Sequence, residues 1–255
     1  MTFYLGTHKP HWLSLTDVPL CISRRTLACR RTLPRALGPW MLDSGGFTEL
    51  STYGAWLTEP ETYVAEVRRF AGEIGNLTAA APQDWMCEPV MLERTGLTIK
   101  QHQQRTVESL LELRSLDASL PFFPVLQGWA PDDYVRHVEM YEDAGVRLSE
   151  EPVVGLGTVC RRQHTSGIES VISAVTFAGV RLHGFGVKTL GLERVGHLLE
   201  SADSLAWSYA ARREKPLPGC PHRSCANCLD FALQWRERLL RSLSSVPARQ
   251  LRLAL

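Results

Sequence analysis

The chain has 255 residues, 44% of them apolar, and a formal net charge of +1. That size fits one large α/β barrel or two ordinary domains, and the composition excludes a disordered polymer. The near-neutral total gives no global attraction to nucleic acid, and no apolar run reaches the roughly 18 residues that a bilayer span needs. Met1 to Pro10 lacks the basic and apolar parts of a signal peptide, so a cytoplasmic protein with no membrane partner is expected.

In chain order, eight short apolar runs read as strands: Phe3–Gly6, Val18–Ile22, Trp40–Asp43, Leu77–Ala81, Phe122–Leu126, Val153–Leu156, Leu182–Val187 and Ser204–Trp207. Amphipathic segments lie between them. Thr58-Glu59-Pro60-Glu61 reads as a capping box with proline in the first turn. The helix it opens carries Tyr63, Val64, Val67, Phe70, Ala71 and Ile74 at helical spacing. Further helices are expected over about 100–113, after Ala130 as far as Gly145, and over about 226–243. Strands alternating with helices predict an α/β fold, a (β/α)8 TIM barrel with a small C-terminal structural zinc site. Residues 1–215 would form the barrel, and 216–255 a zinc-binding segment with a helix packed on it.

In such a barrel the strand C-termini hold the chemistry. Polar or glycine-rich motifs stand near them: Asp43-Ser44-Gly45-Gly46-Phe47, Pro82-Gln83-Asp84-Trp85, Gln127-Gly128-Trp129, Gly155-Leu156-Gly157, His183-Gly184-Phe185-Gly186 and Ala202-Asp203-Ser204. Three of them carry aspartates. An N-glycosidic bond breaks through an oxocarbenium-like state, which one carboxylate can stabilise or capture at C1′ while another moves protons. The competing reading of each aspartate is a helix or turn cap. His183 is open to a phosphate or base contact and to a structural role; His8 and Lys9 are weaker candidates of the same kind.

Cys220, His222, Cys225 and Cys228 follow the spacing C-x-H-x2-C-x2-C, four soft or borderline donors in nine residues. A closed tetrahedral set of that kind suits structural zinc. Cys21, Cys29, Cys87 and Cys160 are scattered and read as ordinary thiols. Arginines cluster at 24, 25, 30, 31 and 35, at 161 and 162, and at 212 and 213. They suit either phosphate contacts or solvated ion pairs.

The order of Asp-Ser-Gly-Gly-Phe at 43–47, Asp84, Val-Leu-Gln-Gly at 125–128, Gly-Leu-Gly at 155–157, Asp203 and the cysteine cluster resembles the tRNA-guanine transglycosylases. The resemblance implies a TIM barrel with a structural zinc that exchanges guanine for a 7-deazaguanine through a covalent intermediate. It implies Asp203 as the nucleophile on C1′ and Asp43 as the general acid/base. It implies Asp84, Gln127 and Gly157 as guanine readers, with Gly128 and Phe47 completing the substrate-binding set. Cys220, His222 and Cys225 fall on the family's C-x-C-x2-C ligands. The chain departs from the family in Thr48, in His222 for the middle cysteine, and in a missing distal histidine that Cys228 would replace. Gln-Asp-Trp-Met-Cys-Glu-Pro at 83–89 is similar to the DNA-modifying branch, the DeoxyPurine in DNA protein A family.

The resemblance thus implies DNA and a free 7-deazaguanine base such as preQ0 as partners. A helper protein is a further partner this reading allows. Phe47, Trp85 and Trp129 are candidates to sandwich a base flipped from its stack, with rim packing as the alternative. Exchange needs no redox cofactor. Three other readings remain at this stage: a transglycosylase acting on tRNA, a hydrolase of nucleosides or damaged bases, and a non-catalytic zinc-bearing nucleic-acid-binding protein.

Overall fold

The computed structural model describes residues 1–158, 165–176 and 179–245. Eight strands form one parallel sheet in the order β4-β3-β2-β1-β8-β7-β6-β5. They are β1 (Thr2–Thr7), β2 (Leu20–Ser23), β3 (Trp40–Asp43), β4 (Leu77–Ala80), β5 (Val125–Leu126), β6 (Val154–Leu156), β7 (Leu182–Gly184) and β8 (Ser201–Ser204). The sheet curls into a TIM-like barrel. β4 and β5 are its edge strands, and a single parallel bridge pairs Ala80 of β4 with Phe122, in the segment leading into β5.

The helices are α1 (Arg24–Ala28), α2 (Gly46–Tyr53), α3 (Pro60–Ile74), α4 (Pro89–Thr95), α5 (Ile99–Leu116), α6 (Pro131–Asp143), α7 (Thr165–Thr176), α8 (Thr189–Val195), α9 (Ala206–Ala211) and α10 (Leu229–Ser245). The first crossover is a 3-10 turn, Pro10–Ser14, rather than a helix. It still fills its place, because Trp12 is buried against Trp207 with ring centroids 5.2 Å apart.

Strand alternation builds two apolar layers. Leu20, Ile22, Trp40 and Leu42 face outward and join the helix stripes of α3 and α5, including Val67, Phe70 and Leu110. Cys21, Met41, Ala79, Phe123 and Val125 face inward and fill the barrel. The expected stripe on α3 is buried at Tyr63, Val64, Val67, Phe70 and Ile74.

Two sequence expectations are corrected. The eighth strand is Ser201–Ser204, not Ser204–Trp207. Residues 201–204 have the alternation a barrel strand needs, whereas Leu205-Ala206-Trp207 opens α9, where the Trp207 indole donates to the Gly6 carbonyl at 2.8 Å. The capping box at Thr58 does not form. Glu59 is the N-cap of α3, and the Thr58 hydroxyl lies 3.5 Å from Glu49 Oε1 instead. Proline at the first helical position already fixes the backbone there. The helix expected over 100–113 is α5, opened by a capping box of Thr98 and Gln101.

Tyr63 ties the outer layer to the barrel mouth. Its buried hydroxyl donates to the Ala81 carbonyl at 2.7 Å, just past β4. Tyr63→Phe leaves that buried carbonyl without its donor and should cost about 1–3 kcal/mol. Urea unfolding of the two proteins measures the difference.

Candidate active site

All strands run the same way, so their C-terminal ends open on one face. A cavity of about 370 Å³ lies there, lined among others by Asp43, Asp84, Gln127, Gly157 and Asp203. Phe47, Met86, Phe185 and Leu205 supply apolar wall.

The Asp-Ser-Gly-Gly-Phe motif is the turn from β3 into α2. Gly45 sits in the left-handed region at φ 76°, and its amide donates to Asp43 Oδ2 at 3.2 Å. Gly46 packs so closely that a Cβ there would come within 2.8 Å of Met86 and Trp56. Ser44 donates to Asp84 Oδ1 at 2.7 Å and accepts from the Gly46 amide at 3.1 Å.

Asp84 is the centre of a buried network. Gln127 Nε2 donates to Asp84 Oδ2 at 2.6 Å, and Thr158 Oγ1 donates to Gln127 Oε1 at 2.6 Å. The Cys87 amide donates to the same threonine at 3.0 Å. Thr158 is held at φ 57°, a genuine outlier for a β-branched residue. The pattern marks a site where local strain is held in place by its surroundings. A Cβ on Gly157 would stand 2.3 Å from Gln127 Nε2, so any side chain there would push the Gln127 amide away.

The backbone of Gln127 is fixed as firmly. Its amide donates to His137 Nδ1 at 2.8 Å, and its carbonyl accepts from Gln103 Nε2 at 2.7 Å. Burial depresses His137 to about 3, so this imidazole is neutral at working pH.

Asp43 and Asp84 are both shifted. Burial raises Asp84 from the usual 3.8 to about 7, against the hydrogen bond from Ser44, and the charge of Asp43 adds to the rise. Asp43 is also raised, first by burial, then opposed by the Ser23 hydroxyl and reinforced by Asp203. Asp203 stands near the end of β8, where Oδ1 accepts from the Gly186 amide at 2.9 Å. His183 Nε2 lies 3.4 Å from the same oxygen.

Not every expected residue reaches the cavity. Trp85 is buried in a side cluster with Leu50, Met86 and Met91, with the Arg105 guanidinium over its ring at 4.4 Å. Trp129 is exposed and does not line the cavity, so of the three aromatic candidates only Phe47 does. Gly128 allows close packing instead, with Asp133 and Tyr134 where its Cβ would be. Ser44, Thr158 and Glu88 also line the cavity, and the sequence reading gave none of them a role. Thr158 follows Gly-Leu-Gly directly, but nothing in the sequence announces its backbone.

Several clustered arginines are engaged within the protein. Arg24 is buried and pairs with Glu66 at 2.5 Å and Glu49 at 3.3 Å. Arg35 donates to the Gly72 carbonyl, and Arg69 caps the carbonyls of Arg30 and Arg31. Arg213 stacks on Tyr209 at 3.5 Å. Cys160, Arg161 and Arg162 lie outside the described residues.

Cys220, His222, Cys225 and Cys228 converge between α9 and α10, with their donor atoms all within 4.8 Å of one another. Cys220 and Cys228 sulfurs are 3.9 Å apart, and His222 Nε2 is 3.2 Å from Cys225 Sγ. A tetrahedron with metal–sulfur bonds of about 2.3 Å has edges of roughly 3.8 Å, so the group fits a metal ion. The Leu217 amide points at Cys225 Sγ at 3.4 Å. The cluster also meets the cavity: His8, on its rim, bonds Asn227 at 2.7 Å between the last two cysteines.

Three carboxylates and a glutamine amide thus converge at the strand ends of a parallel barrel. The chain belongs to the DpdA family, DeoxyPurine in DNA protein A, whose profile matches residues 1–252. That membership supports a DNA-modifying function of the transglycosylase type. No curated protein matches the chain. Among solved structures it is similar to an amidohydrolase from Burkhoderia ambifaria with bound zinc, at 18% identity and a TM-score of 0.38. That match covers 78% of this chain and 58% of the amidohydrolase. It is also similar to a GH10 endoxylanase from a sugarcane soil metagenome, at 10% identity and a TM-score of 0.37, over 78% and 87% of the two chains.

Two measurements probe the network. Between about pH 4 and 7 the folded protein keeps a proton on Asp84 that the unfolded chain has lost, so unfolding free energy should fall as pH rises through that window. Asp84→Asn should flatten the slope, leaving the share from Asp43. Gly157→Ala should displace Gln127 and lower the melting temperature, read by calorimetry, with the barrel still folded.

Proposed function

We propose that this protein is a DNA-guanine transglycosylase that exchanges guanine in DNA for a 7-deazaguanine base through a covalent aspartyl-deoxyribose intermediate. The observation that carries the reading is the convergence of Asp43, Asp84 and Asp203 with Gln127 in one cavity of about 370 Å³. The target nucleotide leaves its stack and enters that cavity. Asp84 and Gln127 bond the guanine edge, and Gly157 leaves room for Gln127. Phe47 offers a ring to the base face.

Asp203 attacks C1′ with Oδ2, the oxygen not held by Gly186. The C1′–O bond forms as the C1′–N9 bond breaks, and the departing guanine takes a proton from Asp43. Burial and the neighbouring charge of Asp203 suit Asp43 to holding that proton. Guanine then gives way to the deazaguanine. Asp43 takes its N9 proton, N9 attacks C1′, and Asp203 is released. One glycosidic bond replaces another, so the exchange balances without a redox partner. Zinc held by Cys220, His222, Cys225 and Cys228 would lock the segment beside the rim and take no part in these steps.

Purified protein incubated with duplex DNA and labelled preQ0 should place label in DNA, and parallel tRNA should stay unlabelled. Asp203→Asn should reduce exchange at least a thousandfold without lowering the melting temperature. Mass spectrometry must exclude its deamidation back to Asp, and an intact Asn variant with full activity sinks the nucleophile assignment. Metal analysis should find about one zinc per chain, lost with much of the thermal stability in Cys225→Ser.

A further inference from the structure

His183 stands out among the groups this mechanism leaves unused. It is fully buried on β7, its Nδ1 lies 2.9 Å from the Ser201 hydroxyl, and its Nε2 finds no hydrogen-bond partner. A buried imidazole nitrogen without a partner is costly, and natural proteins rarely keep one idle. The nearest acceptor is Asp203 Oδ1, at 3.4 Å and out of hydrogen-bond alignment. Tyr4 and Phe185 bracket the ring, with centroids at 5.9 and 4.7 Å, and both contacts are edge-on. The ring therefore has little freedom to turn away.

We propose that His183 is a positioning residue for Asp203, held as the Nε2–H tautomer by a proton donated from the Ser201 hydroxyl to Nδ1. A bare lone pair at Nε2 would face a carboxylate oxygen, so the proton belongs on that nitrogen. Asp203 Oδ1 then has two donors, the Gly186 amide and His183 Nε2–H, both on the side away from the sugar. Oδ2 is left as the oxygen that meets C1′. The misaligned contact closes to a hydrogen bond when the carboxylate turns toward the substrate, as catalytic bonds commonly do on binding. Ser201, Asp203 and His183 lie on paired strands, with His183 opposite Ser201 in the register, so backbone hydrogen bonds set the arrangement.

The inference rests on Asp203 as the nucleophile, and its test separates the two claims. Nitrogen-15 NMR of the wild-type protein reads the tautomer without any activity. An Nε2-protonated His183 is expected, and an Nδ1-protonated ring overturns the proposal. Kinetics then use three variants. His183→Gln puts an amide N–H where Nε2–H stood, His183→Asn places its amide on the Ser201 side, and His183→Leu removes both.

Gln should keep exchange within about tenfold of wild type. Asn and Leu should lose about 100-fold or more in kcat, with KM for the free base changed less than about threefold. Equal losses in all three variants, or losses in KM alone, assign His183 a packing role and overturn the proposal. Wild-type protein that exchanges no base in DNA sinks the transglycosylase reading instead, while the NMR result still decides how His183 meets Asp203.

Discussion

The hydrogen bond between Asp84 and Gln127 crosses the one weak place in the barrel. Seven strand-to-strand junctions have parallel pairing, but between β4 and β5 there is only a single bridge, from Ala80 to Phe122 ahead of β5. At the mouth, Gln127 Nε2 reaches across that seam to Asp84 Oδ2 at 2.6 Å. Ser44 braces the aspartate from β3, and Thr158 braces the glutamine from β6. One side-chain chain thus spans four strands where the backbone ladder is thinnest. The groups that would read a base are the same groups that hold the rim closed, so recognition and barrel geometry cannot vary independently.

That economy explains the electrostatics. A carboxylate used as a structural clasp must sit in a dry place, and dryness lifts its proton affinity. Asp84 is accordingly raised to about 7, although two neutral donors bond it. Asp43 and Asp203 lie in the same cavity and are only partly exposed. The Cys21 thiol on its floor is pushed well upward by burial and by both charges, so it behaves as an apolar filler rather than a nucleophile.

Much of this was legible in the sequence, and for identifiable reasons. Short apolar runs located the strands, and a period-3.6 stripe located α3, because both patterns mark which residues are buried. Motifs at strand ends located the carboxylates, because a parallel barrel sends every strand end to one face. The failures share a cause. The eighth strand was shifted because Leu205-Ala206-Trp207 is more apolar than Ser-Ala-Asp-Ser, and a strand that carries a site looks polar. Trp85 and Trp129 were plausible base platforms by type, but burial in a side cluster and exposure beyond the cavity are tertiary facts. Thr158 and His183 depend on contacts with residues 31 and 18 positions away. No local pattern encodes such pairings.

The position of β1 sets a constraint in time as well as in space. β1 sits between β2 and β8, with Tyr4 opposite Asp203 in the register. The ring therefore waits, during synthesis, for a strand about 200 residues downstream of the first. Until Ser201–Ser204 has left the ribosome, β1 has an open edge and the floor of the cavity lacks a wall. The carboxylate proposed to bond the sugar arrives on that last strand. Nascent chains would thus carry no competent nucleophile until the barrel is ready to enclose it, a safeguard that follows from strand order alone.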